Sequence, residues 1–338
     1  MSHGSRPRIL VVVDRPKWAH DRKTDALATW LGGDYDIQKR YQADVSIRDL
    51  THADCVLLYY WLQAERLSHL SDVLRQIRDR LVIGVCSHYE LDGAWREPGL
   101  AMLRKLPRAV FMNNKLLLDE VGSQLGRPVY YTPNGVDTEF FRPAATVDPS
   151  GTVRPLRVGW AGSLKNQGAE HRGVHEFIAP AVEAAGGELH LAVREERWRT
   201  REEMLDFYHS LDVYVCASRS EGTPNPCLEA VACGLPVITT RVGNMPELIR
   251  DGESGLFVER NVDDIAEKLR WLRDRELRRH LGRAARAAVE PWDWRRQAVH
   301  YDTMLRDVLG ERQVATRAYR GVFEESDEPE DPPPVATR

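Results

Sequence analysis

Short runs of continuous apolar residues alternate along the chain with stretches whose apolar positions recur every three or four residues. RILVVVD, residues 8–14, is such a run and predicts a strand buried on both faces. A helix is expected over about 19–31, with Ala26, Leu27, Trp30 and Leu31 on one side and Gly32-Gly33 at its end. The same alternation continues with a strand at VLLYYW (56–61) and a helical stretch over 64–80, where Leu67, Leu70, Val73, Leu74 and Ile77 share a face. Further strands are read at LVIGVC (81–86), AVFMN (109–113) and VYYT (129–132), with a helix to about Leu125 before the last. This order predicts a parallel sheet covered by helices on both faces.

YTPNGVD, residues 131–137, ends that unit, and FFRPAATVDPSGTVRP has the composition of a linker. LRVGWA (156–161) opens a second series, with strands near 188–193, 212–216, 235–239 and 255–258. Helices are expected over 262–274, 276–289 and 292–309. The fold class is therefore α/β: two doubly wound, Rossmann-like domains facing a cleft, about 1–145 and 153–291. From Glu311 the pattern decays, and EESDEPEDPPP (324–334) is acidic and rich in proline. Residues 311–338 are read as a disordered tail, since they hold too little apolar surface to pack.

A chain of 338 residues has room for two domains that each bury a core. The net charge of −4 shows no global basic bias, so nucleic acid is not an expected partner. Five cysteines, Cys55, Cys86, Cys216, Cys227 and Cys233, form no CxxC pair and read as core residues of a reducing compartment. The apolar run from Cys55 to Leu62 is far too short to span a bilayer. MSHGSRPRIL enters a strand directly without a signal-peptide pattern, so a cytoplasmic location is expected.

The chemistry concentrates in SRSEGTPNPCLEAVACGLPVITT, residues 218–240. An apolar strand leads into the turn Glu221-Gly222-Thr223-Pro224, which opens a helix over about 225–233. Pro226 suits the first helical turn and Gly234 stops the helix. A strand that feeds a loop and then a helix start is a natural seat for a diphosphate. Glu221 lies on the loop and Glu229 follows about one turn into the helix. Two acids at this spacing also occur as plain solvated charges, so the surrounding residues decide. The Glu-Gly-Thr-Pro loop, Leu228-Glu229-Ala230, Cys233-Gly234-Leu235-Pro236-Val237 and Val242-Gly243…Pro246-Glu247-Leu248 closely resemble the Glu-x7-Glu signature of retaining glycosyltransferases of family four, the group 1 glycosyltransferases of GT-B fold.

That resemblance implies a nucleotide-diphosphate-sugar donor on the second domain and a hydroxyl acceptor on the first. It places Glu221 beside the sugar, Gly222, Thr223, Pro224 and Asn225 on sugar hydroxyls, and Glu229 on the ribose. It turns the backbone N–H groups of Cys227 and Leu228 toward the phosphates. Relatives carry an Arg after a glycine-ended strand and a Lys in a Lys-Gly pair. Here Ser163 occupies the first position and Arg172-Gly173 the second, with Lys165 as a further candidate cation. His88, just past a buried parallel strand, corresponds to a histidine that relatives point into the cleft. Arg194 lies where a nucleobase loop is expected. The resemblance also implies that the last helix, from about 292 to 310, crosses back onto the first domain.

The glycine-rich loop that relatives place after strand one is missing; Asp14-Arg15-Pro16-Lys17-Trp18 stands there. Asp14, Lys17 and Trp18 are therefore the acceptor-side candidates. Asp34-Tyr35-Asp36 matches a metal-binding DxD but sits in a turn before an early strand, and His171 and His175 lack a third ligand. No metal and no cofactor beyond the co-substrate are expected. The Trp292-Asp293-Trp294 cluster reads as interdomain packing. The reading is a metal-independent, retaining glycosyltransferase, associated peripherally with a membrane if its acceptor is lipid-linked. The alternatives are a catalytically silent, sugar-nucleotide-binding GT-B subunit and, without its glycine fingerprint, a dinucleotide oxidoreductase.

Overall fold

The computed structural model describes residues 6–144, 154–165 and 169–310. The expected linker centre and the acidic tail lie outside the described residues. Eleven strands form two wholly parallel sheets. The first contains β1 (Arg8–Val13), β2 (Asp36–Tyr41), β3 (Cys55–Leu58), β4 (Leu81–Val85), β5 (Ala109–Met112) and β6 (Val129–Tyr131), in the order β2-β1-β3-β4-β5-β6. The second contains β7 (Arg157–Gly162), β8 (Glu188–Val193), β9 (Val213–Cys216), β10 (Val237–Thr239) and β11 (Leu256–Phe257), in the order β11-β10-β9-β7-β8.

Counted within each lobe, the first five strands of both sheets follow one order, second-first-third-fourth-fifth. The chain thus reverses direction across the sheet between β1 and β3, and again between β7 and β9. Loops leaving neighbouring strands on opposite sides of such a point open a crevice at the carboxyl ends, where ligands of doubly wound sheets sit. The apolar runs that predict the strands are what bury them. Ile9, Leu10, Val11, Val12 and Val13 are all at most 1% exposed, because helices cover both faces.

Two apolar clusters sandwich each sheet. The helix Trp294–Leu309 buries Ala298, Tyr301, Met304 and Leu305 among Ile9, Leu27, Tyr59 and Phe111, so the last helix completes the core of the first lobe. Its Tyr301 hydroxyl donates to the Thr132 carbonyl at 3.0 Å. The Trp292–Trp294 segment ties the linker to this helix: Val136 N donates to Trp292 O at 3.0 Å and Trp294 N to Val136 O at 3.2 Å.

Local structure departs from the sequence expectation at two places. The strand read over 56–61 stops at Leu58, and a helix begins at Trp61. The single helix read over 64–80 is broken into short turns, Trp61–Arg66, Ser68–Leu70, Ser71–Gln76 and Arg78–Arg80. Leu67, Leu70, Leu74 and Ile77 are nevertheless all buried. Apolar spacing reports which face is covered, and a series of short turns presents that face as well as one helix does.

Candidate active site

The loop after β9 is shaped by three local devices. Ser218 Oγ donates to Glu221 Oε1 at 2.8 Å, fixing the loop on its own acid. Arg172 Nη1 pairs with that same oxygen. Both partners are shielded, at 15% and 13% side-chain exposure, so this contact lies out of bulk solvent. Gly173 makes the approach possible: at φ +68° it takes a left-handed turn, and a Cβ there would stand 2.9 Å from the Ala217 carbonyl oxygen. Arg172 Nε is buried without a hydrogen-bond partner.

The helix Asn225–Ala232 then carries Glu229. It ends with Gly234 at φ +76°, where Leu235 N donates to Ala230 O and Gly234 N to Val231 O, a Schellman closure. The Tyr208 hydroxyl donates to Glu229 Oε2 at 2.6 Å, and Arg22 of the first lobe reaches within 3.9 Å of Oε1. Burial pushes the Glu229 carboxyl above the usual range, against the opposing Tyr208 bond.

The two lobes meet at this loop. Asn114 Nδ2 donates to the Gly222 carbonyl at 3.1 Å, and Asn134 Nδ2 donates to Asn225 Oδ1 at 3.1 Å. Glu247 accepts from Lys115 N at 2.8 Å and from the Tyr131 hydroxyl at 2.5 Å. A Cβ on Gly222 would fall 1.4 Å from the Cys86 carbonyl oxygen, so only glycine lets the loop lie against the first lobe. Beside the junction opens a cavity of about 840 Å³, walled by both lobes.

Of the residues singled out in the sequence, Glu221, Gly222, Thr223, Pro224, Asn225, Glu229, Arg172, Arg194, Ser163, Asp14 and Trp18 line this cavity. Ser163 Oγ is bonded to Glu195, which also accepts from Leu164 N at 3.1 Å. Arg194 lies 4.7 Å over the Trp18 ring and 5.2 Å from the Trp198 ring, bridging the lobes at the mouth. Lys17 takes a left-handed backbone, φ +64°, held by its N–H bond to Asp21 at 2.6 Å, and its Nζ is 5.6 Å from Trp198 rather than on the cavity wall.

Four further expectations are corrected. Cys227 and Leu228 are fully buried, and their N–H groups donate back to the Pro224 carbonyl at 2.8 and 3.4 Å instead of facing the cavity. A 3₁₀-like first turn consumes these donors internally. Lys165 is exposed and off the wall. His88 also leaves the wall: its Nε2 stands 3.5 Å from Glu120 and its Nδ1 3.5 Å from the Glu221 carbonyl oxygen. Burial pushes the His88 pKa down, with Glu120 opposing.

The wall also holds residues the sequence did not flag. Cys86, Ser87 and Asn113 follow directly on β4 and β5, and the rule that ligands meet the carboxyl ends of parallel strands would have found them. His20, Arg22 and Lys23 come from the helix Ala19–Leu31, where nothing in the sequence separates them from a solvated face. His20 Nδ1 is 3.2 Å from Asp14 Oδ1, and its ring stacks on Tyr59 at 4.5 Å. Among the described residues no group of three or more His, Cys, Asp or Glu is arranged to hold a metal ion, and no helix is long and apolar enough to cross a membrane.

Two parallel-sheet lobes of one strand order, facing each other over an acid-bearing strand-loop-helix, define the GT-B class of fold. A structure of similar fold is that of Anabaena HepE in complex with UDP and glucose, at a TM-score of 0.68 and 14% identity over 89% of this chain and 100% of that one. Residues 195–288 match the family of glycosyl transferases group 1. Curated relatives include the sulfoquinovosyl transferase SQD2 of Arabidopsis thaliana, 41% identical over 99 residues. That match spans 28% of this chain and only 19% of the relative's length. A D-inositol 3-phosphate glycosyltransferase of Acidothermus cellulolyticus is 25% identical over 78% of this chain and 69% of its own length.

Proposed function

We propose that the protein moves a sugar from a nucleoside-diphosphate sugar to a hydroxyl acceptor, with retention of anomeric configuration and without a metal ion. The observation that carries this reading is the half-buried pair formed by Arg172 with Glu221, the acid just past the carboxyl end of β9, both lining the interlobe cavity. Transfer breaks the anomeric carbon–phosphate oxygen bond while positive charge builds on the sugar ring and negative charge on the leaving diphosphate. A fixed guanidinium stabilises the second charge, and a fixed carboxylate beside it stabilises the first. Arg172 has donors to spare, since its Nε is unused, so it can hold Glu221 and meet a phosphate oxygen together. Glu229, oriented by Tyr208, is suited to ribose hydroxyls.

In this reading the acceptor hydroxyl bonds the anomeric carbon on the face the diphosphate leaves, and its proton passes to the departing phosphate oxygen. Glu221 positions and stabilises; no covalent sugar–enzyme bond is required. His88, behind the loop, acts as a positioning residue through the Glu221 backbone. The relatives are named for different transfers, one sulfoquinovosyl and one to D-inositol 3-phosphate, which supports sugar transfer while leaving this chain's own sugar and acceptor open.

The test is incubation with UDP-, GDP-, ADP- and TDP-sugars and a panel of hydroxyl acceptors, following donor consumption and the product's anomeric proton coupling by NMR. Consumption with retained configuration is expected, and it should be insensitive to EDTA. Donor binding without consumption, while the same panel is turned over by a related enzyme, would instead identify a silent sugar-nucleotide-binding subunit.

A further inference from the structure

Lys23 lies on the floor of the first-lobe arm of the cavity and is unlike every other cation there. It is 2% exposed, yet its Nζ has no hydrogen-bond partner, and among the described residues it makes no ion pair. Three aromatic rings surround it instead, with Tyr301, Tyr59 and Phe111 centroids at 5.1, 5.2 and 5.7 Å from Nζ. The faces of those rings attract the ammonium but accept no conventional hydrogen bond. A buried donor left unsatisfied is destabilising, the more so when charged, and a ligand oxygen supplying the missing acceptor would recover that deficit.

Glu90, whose carboxyl feels the Lys23 charge, makes no ion pair with it. Glu90, also on the cavity wall, has its Oε1 occupied by Cys86 N at 2.9 Å, and its Oε2 is buried without a partner. Burial holds the Glu90 pKa well above the ordinary carboxylate range, opposed by the Cys86 bond. No hydrogen bond or ion pair joins Glu90 to Lys23 among the described residues, so Lys23 stays unpaired. The cavity wall also carries Tyr89 and Trp95, 45% and 51% exposed, which suit the apolar face of a ring.

We infer that Lys23 is the anchor for an oxyanion, a phosphate or a carboxylate, carried by the acceptor molecule. This rests on the reading of the cavity as a sugar-transfer site whose first-lobe arm takes the acceptor. Lys23 touches no reacting atom in this arrangement; it fixes where the acceptor hydroxyl stands.

The experiment is calorimetric titration of the full chain with inorganic phosphate and, separately, with acetate. UDP is held at saturation, so that the diphosphate cations are already occupied. Wild-type protein should bind one of the two probes more tightly, which names the group. Lys23→Met, close in length and apolar, should weaken that binding about tenfold or more while UDP affinity is unchanged. Lys23→Arg should restore part of it. Equal anion affinity in wild type and Lys23→Met, or no binding of either probe to wild type, overturns the proposal. Unchanged UDP affinity shows that Lys23→Met has folded. If UDP fails to bind wild type, the donor reading fails instead. The Lys23 dependence is then still scored in the same titration without UDP.

Discussion

The two walls of the cleft are built from the same strand order but are finished differently. On the second lobe the charges are matched in place: Arg172 with Glu221, Tyr208 with Glu229, Ser163 with Glu195. On the first lobe the whole ammonium of Lys23 is left without a hydrogen-bond or ion-pair partner and one Glu90 oxygen has none either, whereas on the second the unused atom, Arg172 Nε, belongs to a guanidinium already paired through Nη1. A wall whose polar groups are already paired is preorganised, holding its geometry before ligand arrives. A wall with unmatched groups is complete only when ligand supplies the partners. On the proposed reading, donor recognition would be set by backbone and paired side chains, and acceptor recognition by a few groups that wait for a partner.

The comparison breaks most sharply at Glu221. Glu221→Gln should lower turnover about a hundredfold, of the order seen for loss of one preorganised stabilising group, with UDP affinity held within a few-fold as read by calorimetry. Equal turnover in the variant would remove Glu221 from the site. Gly222→Ala should cut turnover strongly as well, because its methyl would overlap the Cys86 carbonyl and prop the lobes apart. Its melting temperature should change little, since each lobe keeps its own core; a large loss of stability would show the lobes to be one cooperative unit.

Arg172→Ala should weaken UDP binding by about tenfold to a hundredfold, a charge-assisted hydrogen bond being lost. His20→Ala on the opposite wall should leave UDP affinity alone and raise the acceptor KM. Tyr208→Phe removes the one hydroxyl bonded to a shielded carboxylate and should cost about 1–3 kcal/mol in urea unfolding. The smallest effect concerns Glu90. Its raised folded-state pKa means that its contribution to stability is complete below the unfolded value, near 4.5, and is lost as pH rises through the folded pKa. Glu90→Gln should therefore flatten the fall of melting temperature within that window, from about 4.5 up to the folded pKa, while a profile parallel to wild type would show the carboxyl to be ionised without penalty.

The sequence by itself determined the two α/β series, because continuous Val, Ile and Leu runs have no place except inside a covered parallel sheet. It also located the strand-loop-helix bearing Glu221 and Glu229, since a proline at the helix start, a glycine at its end and an acid on the loop are local requirements of one short segment. Arg172 was legible through the family resemblance alone, as the counterpart of the lysine in a Lys-Gly pair. What only the tertiary structure decided is everything that depends on two distant segments meeting. His88 turns to Glu120 and to the Glu221 carbonyl, and Gly222 presses on Cys86. Lys23 is the clearest case: its neighbours Tyr59, Phe111 and Tyr301 come from two strands' ends and the last helix. Charge on a helix reads as solvated unless the rings that enclose it are known, and the chain's local pattern carries no information about which rings those are.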